Sequence, residues 1–480
     1  MAKSENSITN DSYNIGNIYK AVKSMNMQAI ILAAGAGTRM KSKLPKVLHK
    51  VCGDTMLNHV INSAFEAEVN ECIVIVGHGA EEVKKSLDPE IKTVLQAEQL
   101  GTGHALKMAF DEINDEGTVL ILCGDGPLVT EETLKGLIDF HKKSNSKATV
   151  MSTDLDNPFG YGRIIRTESN ELSKIVEEKD ANKEEKLVVE INSGTYCFDA
   201  SALKKALPLL KNDNSQKEFY LTDTLSILKE AGDKVGVYKI DDYEDIMAVN
   251  SRSQLAEVEA IMRKRINEKH MSNGVTFIDP KSTYIDKGVK IGQDTIVYPN
   301  VFISRETIIG EDCIIGYNTK IEKSLIGNGV QIQSSTIIDS KVDEDTTIGP
   351  YAYLRPNSRI GKRVKIGDFV EVKNSTMGDD SKASHLAYIG DGEVGKNVNI
   401  GCGVVFVNYD GVNKHKTIVK DNAFVGSNCN LVAPVTIEES AYVASGSTIT
   451  KDVPQGSLAV ERSKQSNIAG WVERKNRGRQ

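Results

Sequence analysis

The chain has 480 residues, more than a single hydrophobic core usually organises, so we expect two or three domains. With 40% hydrophobic and 26% charged residues, its composition is that of an ordinary globular protein. The net charge of -7 argues against a nucleic-acid-binding surface, because such surfaces carry a basic excess. The sequence contains no apolar run of membrane-spanning length, no signal-peptide pattern and no C-x-x-C pair among its seven cysteines. We therefore expect a cytoplasmic protein with reduced cysteines.

The first ordered segment should be a nucleotide-binding strand and loop. Residues 29–32 form an apolar run that predicts a buried strand, and the glycines around Gly35 follow it. Because glycine has no Cβ, such a loop brings backbone N–H groups close to a phosphate, and Arg39 and Lys46 add positive charge beside it. The third glycine of the dinucleotide fingerprint is missing, and no P-loop sequence follows. The pattern predicts a polyphosphate-binding loop, with an ordinary strand-to-helix turn as the alternative.

Strand and helix patterns alternate up to about residue 250, which predicts a doubly wound α/β sheet of mostly parallel strands. Ligands of such sheets bind beyond the carboxyl ends of the strands, where Gly35, Gly77, Gln96 and Asp125 fall. Asp125 directly follows an apolar strand, so a divalent cation bound with nucleotide phosphates would stabilise its carboxylate. A turn or helix-capping aspartate is the alternative.

The second half has a different period. The amphipathic pattern of residues 251–272 predicts one connecting helix. Beyond it, aliphatic residues recur at every sixth position, with phase slips between runs such as Ile291, Val297, Ile303, Ile309, Ile315 and Ile321, then Ile326, Ile332 and Ile338. This period predicts a solenoid of short parallel strands with one aliphatic residue inside each face of a triangular coil. Residues 408–416 should form an inserted loop, and a purely mechanical scaffold is the alternative to a catalytic coil.

The motifs LAAGAGTRM with LPK, LQAEQLGTGHA, GDGPL, GYGRI, VEEKDA, EINSG and VNSR resemble one family, the bacterial bifunctional N-acetylglucosamine-1-phosphate uridylyltransferase/glucosamine-1-phosphate N-acetyltransferases. The resemblance implies a Rossmann-like domain that joins UTP to N-acetylglucosamine 1-phosphate and releases pyrophosphate. It also implies Mg²⁺, with Mn²⁺ as the alternative. The implied contacts are Leu32, Ala33, Ala34 and Gly35 for the nucleotide, Arg39 and Lys46 as catalytic cations, Gln96, Gly101 and Thr102 for uracil, Gly162, Glu177 and Asn192 for the sugar, Asn250 for substrate and metal, and Asp125 for metal. The chain departs from the family pattern at Ala36, Cys123 and Gly126.

The repeats, with the motifs LRPNS, VEVKNS, ASHLAYIGD, NIGCG, NYDG and VGSN, resemble the left-handed parallel β-helix of hexapeptide-repeat acyltransferases, which are usually trimers. The resemblance implies acetylation of glucosamine 1-phosphate by acetyl-coenzyme A, with His385 as base. The neighbouring Glu371 is the candidate orienter of His385, and a structural histidine in a turn is the alternative. A base is needed because the attacking amine must lose a proton, and imidazole titrates in the right range. The implied contacts are Arg355, Lys373, Tyr388 and Asn399 for the sugar phosphate, and Cys402, Asn408, Tyr409, Ser427, Ser445 and Arg462 for the coenzyme. Cys402 and Ser445 replace alanines found in some members.

The expected organisation is a disordered extension over residues 1–26, a uridylyltransferase domain over 27–250, a linker helix over 251–272 and a β-helix acetyltransferase domain with a C-terminal tail over 273–480. We expect a homotrimer that uses no nucleic acid or membrane. One alternative is a glucose-1-phosphate nucleotidyltransferase whose coil is regulatory. The other is a non-catalytic subunit like the translation-initiation exchange factors that share this domain pairing.

Overall fold

The computed structural model describes residues 26–477. Residues 1–25 of the extension expected over residues 1–26 therefore lie outside the described residues. The chain divides into two compact units, Met1–Met262 and Arg263–Gln480, and the boundary falls inside one helix, Arg252–Ser272. That helix occupies the segment in which the sequence predicts a connecting helix. Within residues 26–477, no helix combines the length and the hydropathy needed to cross a bilayer.

The first unit alternates strands and helices as its sequence pattern predicts. In chain order its elements are β1 (Met27–Ala33), β2 (Lys50–Val51), β3 (Asp54–Thr55), α1 (Met56–Glu66), β4 (Glu71–Val76), α2 (Ala80–Ser86), β5 (Lys92–Leu95), α3 (Thr102–Met108), β6 (Thr118–Cys123), α4 (Glu131–Ser144), β7 (Ala148–Asp154), β8 (Arg163–Arg166), β9 (Leu172–Val176), β10 (Glu190–Asp199), α5 (Ala200–Ala206), α6 (Asp223–Glu230) and β11 (Val235–Lys239), before α7 (Arg252–Ser272). Short 3-10 helices cover Thr38–Met40, Lys46–Leu48, Phe110–Glu112, Glu185–Leu187, Leu207–Leu209 and Tyr243–Ile246.

The main sheet has the strand order β11-β7-β10-β6-β1-β4-β5. Strand β1 pairs in parallel with β4 and β6, β4 pairs in parallel with β5, and β11 with β7. Apolar side chains from alternate positions of β1 enter the two cores on opposite faces of the sheet, Ile31 on one side and Ile30 on the other. The doubly wound α/β fold is therefore confirmed. The sheet is not purely parallel, because β10 runs antiparallel to both β6 and β7. Two further strands extend it beside β10, since β8 pairs antiparallel with β10 and with β9.

The second unit is a coil of short strands. In chain order they are β12 (Thr276–Phe277), β13 (Tyr284–Ile285), β14 (Lys290–Ile291), β15 (Ile296–Val297), β16 (Phe302–Ile303), β17 (Ile308–Ile309), β18 (Ile314–Ile315), β19 (Lys320–Glu322), β20 (Leu325–Ile326), β21 (Gln331–Ile332), β22 (Thr336–Ile338), β23 (Ser340–Val342), β24 (Thr347–Ile348), β25 (Tyr353–Leu354), β26 (Ser358–Ile360), β27 (Lys365–Asp368), β28 (Glu371–Lys373), β29 (Thr376–Met377), β30 (Lys382–His385), β31 (Tyr388–Gly390), β32 (Gly392–Val394), β33 (Asn399–Ile400), β34 (Val405–Val407), β35 (Thr417–Val419), β36 (Phe424–Val425), β37 (Asn430–Val432), β38 (Val435–Ile437), β39 (Tyr442–Val443), β40 (Thr448–Ile449) and β41 (Leu458–Ala459). A 3-10 helix spans Pro280–Ser282, and α8 (Trp471–Arg477) follows the last strand.

These strands form three parallel sheets of 11, 10 and 9 strands. Within each sheet a strand pairs with the strand three places later in the chain, except that β39 pairs with β41 at the end of the largest sheet. One continuous apolar core fills the coil, and residues from the predicted six-residue series, such as Ile303 and Ile315, are buried in it. The left-handed parallel β-helix is thus confirmed. One position in the series is wrong, because Ile337 is buried in place of Ile338. The turn there is shorter, since Lys320 pairs with Thr336, and the phase slips before Ile338.

Candidate active sites

The glycine loop at the carboxyl end of β1 is shaped to bring a lysine against it. Gly37 has a φ of 58°, in the left-handed region. A Cβ atom on Gly37 would lie 2.6 Å from the Cβ of Lys46, a distance that real side chains do not reach, whereas a Cβ on Gly35 would meet open space. Gly37 is therefore required by both its backbone conformation and its neighbour, and it places Lys46 beside the loop.

Four residues predicted from separate motifs meet beside this loop. Asp125 follows β6, and its carbonyl oxygen accepts a 2.9 Å hydrogen bond from the backbone N–H of Val249, which brings Asn250 next to it. The ammonium group of Lys46 forms a salt bridge with the Asp125 carboxylate and donates to Asn250 Oδ1 at 3.0 Å. Arg39 Nη2 donates to the same Asn250 oxygen at 2.9 Å. The predicted cations and the predicted metal ligands thus share one site.

The same contacts show that this site suits a cation. The Asp125 carboxylate and the Asn250 amide oxygen both contact the single Nζ atom of Lys46, so they are close enough to bind one metal ion together. Between residues 26 and 477 there is no group of three or more His, Cys, Asp and Glu side chains that could hold a metal. Two protein oxygens completed by phosphate oxygens and water are the usual arrangement for Mg²⁺ with a nucleotide.

The residues predicted to contact uracil lie beyond the end of β5. Gln96 is buried, and its Nε2 atom lies 3.1 Å from both the carbonyl oxygen of Gly101 and the Nδ1 atom of His104. Thr102 begins α3, and its hydroxyl accepts a 3.1 Å hydrogen bond from the backbone N–H of Leu221. These bonds fix the amide of Gln96 at the edge of the sheet. His104 was not among the predicted site residues, although it stands in the LQAEQLGTGHA motif.

The residues predicted to contact the sugar also lie together. Asn192 donates its backbone N–H to the carbonyl oxygen of Gly162 at 2.9 Å, and its side-chain amide donates to the Tyr196 hydroxyl at 2.7 Å. A Cβ atom on Gly162 would lie 3.4 Å from the Glu177 carboxylate, so the glycine leaves space beside this acid. Burial raises the pKa of Glu177, which lies in a poorly solvated wall. Burial also raises the pKa of Cys123 to about 12, so this departure from the family pattern is a neutral thiol.

In the second unit, one corner of the coil collects several predicted residues. Successive turns are in register through the pairs Ile366 with Ala383, Ala383 with Ile400, Ile400 with Val425, and Val425 with Val443. The residues two positions after these stack in a column at the corner, which we call the corner column: Asp368, His385, Cys402, Ser427 and Ser445. Arg462 Nη1 donates to the carbonyl oxygen of Ser445 at 2.7 Å, at the far end of the column. The predicted base is therefore in line with predicted coenzyme contacts.

The partner of His385 differs from the one we expected. Its Nδ1 atom lies 2.7 Å from Oδ1 of Asp368, which the sequence analysis did not single out. Glu371, the expected orienter, accepts a 2.8 Å hydrogen bond from Arg355 Nη1. The spacing of 17 residues between Asp368 and His385, one turn of the coil, was the signal available in the sequence.

The opposite edge of the same face is cationic. Leu354 pairs with Val372, so Arg355 and Lys373 follow at matching positions on adjacent turns. Lys414, from the inserted loop, lies beside Lys373, and the hydrogen-bonding contact between the two amines lowers the pKa of Lys373, with smaller effects from burial and from the charges of Lys414 and Arg355. Three cations in one place can bind a phosphate. Lys414 lay outside our predicted set, because only the path of the loop brings it to this edge.

The remaining predicted contacts lie on or around this face. Tyr388 lies between the two edges, three residues beyond His385 along the chain. Asn408 is buried, and its amide donates to the Asp391 carboxylate. The Tyr409 hydroxyl donates to the carbonyl oxygen of Gly411 at 2.6 Å, which folds the inserted loop. Asn399 pairs with Lys382 on the neighbouring face.

Comparisons with known proteins agree with the division of the chain into two units. The family model described as nucleotidyl transferase matches residues 28–257, and the bacterial transferase hexapeptide model matches residues 288–323 and 339–374. A protein of Alkaliphilus metalliredigens called bifunctional protein GlmU is 65% identical over 95% of this chain and 100% of its own length. Proteins of the same description from Alkaliphilus oremlandii and Clostridioides difficile are 68% and 61% identical over 94% of this chain, and the matches cover 99% and 98% of their lengths. The chain therefore belongs to the family of bifunctional GlmU proteins.

Proposed function

We propose that the two units perform consecutive steps in the synthesis of UDP-N-acetylglucosamine. The coil acetylates glucosamine 1-phosphate with acetyl-coenzyme A, and the nucleotidyltransferase unit then transfers UMP from UTP to N-acetylglucosamine 1-phosphate and releases pyrophosphate. The observation that carries the proposal is the match to bifunctional relatives over 95% of the chain, with residues for both reactions gathered at separate sites.

In the uridylyl transfer site, Gln96, Gly101 and Thr102 hold the uracil, and Leu32 to Gly35 line the nucleotide. Arg39 and Lys46 bind the triphosphate and stabilise the charge that moves to the leaving pyrophosphate. No general base is needed, because the sugar phosphate is already an anionic nucleophile and the reaction depends on in-line positioning.

Family membership implies a divalent metal, and we propose Mg²⁺ held by Asp125 and Asn250. When bound, the ion would supply positive charge for the phosphates. Lys46 contacts both of these oxygens, so in the proposed reaction the lysine would move from them to the triphosphate.

Gly162, Glu177 and Asn192 hold the N-acetylated sugar. The raised pKa of Glu177 has burial as its main cause. A carboxylate in such a wall is stabilised by hydrogen bonds from sugar hydroxyls that replace the missing water. The same wall excludes water from the reacting phosphate.

In the acetyl transfer site, the phosphate of glucosamine 1-phosphate is bound by Arg355 and Lys373, with Lys414 beside them. The sugar then lies over Tyr388, and its amine points toward His385. Gly390, which pairs with Lys373, lies five positions after His385, and five steps correspond to at most about 16 Å of extended chain. A hexose phosphate and the side chains that reach toward it from both edges fill this span.

Acetyl-coenzyme A lies along the corner column, with Cys402, Ser427 and Ser445 as its contacts and Arg462 at the far end. Asn399, Asn408 and Tyr409 complete the predicted contacts. His385 takes a proton from the amine as the amine attacks the thioester carbon, and the carbon–sulfur bond breaks to release the coenzyme thiolate. Glu371 acts through its bond to Arg355.

The coil bears a surface suited to the homotrimer that we propose. Tyr351, Phe369 and Leu386 stand on consecutive turns of one corner, and we call them the apolar corner ladder. Each has a positive φ, of 58°, 56° and 37°, where a bulky side chain is strained. Each is also largely exposed in the single chain, by 61%, 59% and 57%. Exposed apolar side chains at strained positions are best explained by a neighbouring copy of the chain, and parallel coils would form clefts where they meet.

The cytoplasm is the proposed location, because both acyl donor and nucleotide are made there and all seven cysteines are free. The proposal is tested by two product assays on the full-length protein, UTP with N-acetylglucosamine 1-phosphate and acetyl-coenzyme A with glucosamine 1-phosphate. We expect both products. Uridylylation of glucose 1-phosphate without acetyl transfer would favour the enzyme with a regulatory coil, and the absence of both products would favour the non-catalytic subunit.

A further inference from the structure

The coil changes its geometry at His385. Strands β27 and β30 are each four residues long, whereas the other strands of the coil within residues 276–459 have two or three. The extension pairs Asp368 directly with His385 on the next turn. Gly367 makes this close approach feasible, because a Cβ at that position would collide with the carbonyl oxygen of Ser384. The two turns are therefore drawn together where the proposed base sits.

The resulting contact has a chemical consequence. Oδ1 of Asp368 lies 2.7 Å from Nδ1 of His385. A neutral imidazole has one N–H group, and a carboxylate can only accept, so the proton lies on Nδ1 and the lone pair on Nε2. The bond to His385 is the main reason that the pKa of Asp368 is lowered, so Asp368 is ionised at neutral pH. The Nε2 atom is then free to receive the proton of the amine.

Other charged groups near the pair do not replace Asp368. Glu371 is engaged by Arg355 at 2.8 Å, on the face where the phosphate is expected. Lys365 lies near Asp368 and has only a small effect on its pKa. Cys402 is the neighbour of His385 on the following turn of the corner column, and it is exposed.

We propose that Asp368 is a positioning residue for acetyl transfer. It holds His385 as the Nδ1–H tautomer and stabilises the imidazolium that forms when Nε2 takes the amine proton. In this step the amine nitrogen forms a bond to the acetyl carbon, the carbon–sulfur bond breaks, and the thiolate leaves with the electron pair. The inference rests on the proposed role of His385 as the base.

The test compares acetyl transfer by the full-length wild type, Asp368→Asn and Asp368→Glu over a range of pH. We expect Asp368→Asn to lower kcat by roughly 10- to 100-fold, less than in a buried triad, because His385 and Asp368 are solvent-exposed. The KM values for both substrates should change less than threefold. The acidic limb of the kcat/KM profile should move to lower pH, because loss of the carboxylate disfavours imidazolium. Asp368→Glu keeps a carboxylate and should leave the limb near its wild-type position.

Asp380→Asn is the matched control, since Asp380 is also an exposed aspartate at a coil corner and binds Arg363 at 2.7 Å. It should behave as the wild type. Identical pH profiles for Asp368→Asn and Asp368→Glu, or a wild-type kcat in Asp368→Asn, would overturn the role of Asp368. Wild-type kcat in His385→Ala would instead overturn the base itself, so the two failures are distinguishable.

Discussion

Replacing Phe369 by asparagine should weaken the proposed trimer without weakening the fold of the chain. Asn318 and Asn428 already occupy the same corner on other turns, both with positive φ, so asparagine suits this backbone. The change should relieve about 1 kcal/mol of strain in each chain, which offsets the loss of the Phe369 ring stack on Tyr351, worth about 1 kcal/mol. Any loss of assembly in Phe369→Asn can therefore be attributed to the interface between chains and not to unfolding of the single chain.

The expected loss follows from the exposed surface of Phe369. A phenylalanine side chain has about 200 Å² to bury, and 59% exposure leaves about 120 Å² for a partner. At about 25 cal/mol per Å² this is worth about 3 kcal/mol per chain, or about 9 kcal/mol for three. Such a loss changes the trimer dissociation constant by about 10⁶-fold. Because the dissociation constant of a trimer has units of concentration squared, the midpoint concentration of assembly scales as its square root and would rise by up to about 1,000-fold.

Sedimentation velocity over a dilution series measures this midpoint, and the two activities are assayed at each concentration. Acetyl transfer should disappear as the trimer dissociates, whereas uridylyl transfer should persist. Phe302→Thr is the control, because Phe302 is 48% exposed and stacks on Tyr284 of its own chain, as Phe369 stacks on Tyr351, but is absent from the residues with positive φ. An unchanged midpoint in Phe369→Asn, or a chain that unfolds more readily, would refute the role of the apolar corner ladder.

Gly37→Ala should reduce uridylyl transfer by about 10²-fold and leave acetyl transfer intact, because a Cβ there displaces Lys46. Gly232→Ala, which also has a positive φ but has open space around it, should have a much smaller effect on uridylyl transfer, and equal losses in the two variants would contradict this. Lys414→Ala should raise the KM for glucosamine 1-phosphate by roughly 10- to 100-fold, because a charged contact with the phosphate is lost. Lys416→Ala is the control, since Lys416 pairs with Glu393, and an unchanged KM in Lys414→Ala would exclude Lys414 from the phosphate site. Burial lowers the pKa of His141 from 6.5 to about 4, so between these pH values the unfolded chain binds a proton at His141 and the folded chain does not. The free energy of unfolding should therefore fall by up to about 3 kcal/mol as the pH drops from about 6.5 to about 4. His141→Gln should lose this part of the pH dependence, and a variant with the wild-type dependence would show that other groups are responsible.

The two folds could be predicted because each produces a regular pattern of residues: alternating strand and helix segments in the first unit, and an aliphatic residue at every sixth position in the second. The six-residue series placed Ile303 and Ile315 in the core of the coil without any structural information. The series wrongly placed Ile338 in the core, because one shortened turn of the coil shifts the phase of the repeat and the residue pattern does not mark where the shift occurs. The antiparallel direction of β10 was also not predictable, since a buried strand reads as the same apolar run in either direction.

Prediction of the sites was limited in a different way. Motif resemblance identified Asp125, Lys46 and Asn250 separately, and only the fold shows that one lysine ammonium contacts both oxygens. Asp368 and Lys414 were missed because their importance depends on what lies one turn away or across a loop. These contacts depend on which residues lie opposite each other on neighbouring turns of the coil. The spacing of residues in the sequence reveals such neighbours only once the pairing of the turns is known.

The central claim is that one chain carries two independent active sites, and a coupled assay with glucosamine 1-phosphate, acetyl-coenzyme A and UTP tests it most directly. We expect Asp125→Ala to accumulate N-acetylglucosamine 1-phosphate, because its coil is intact while its metal site is lost. We expect His385→Ala to acetylate roughly 10² to 10⁴ times more slowly, and to form UDP-N-acetylglucosamine normally when N-acetylglucosamine 1-phosphate is supplied. A mixture of the two variants should restore the complete conversion. Loss of both activities in either variant, or a mixture that forms no UDP-N-acetylglucosamine, would contradict the account.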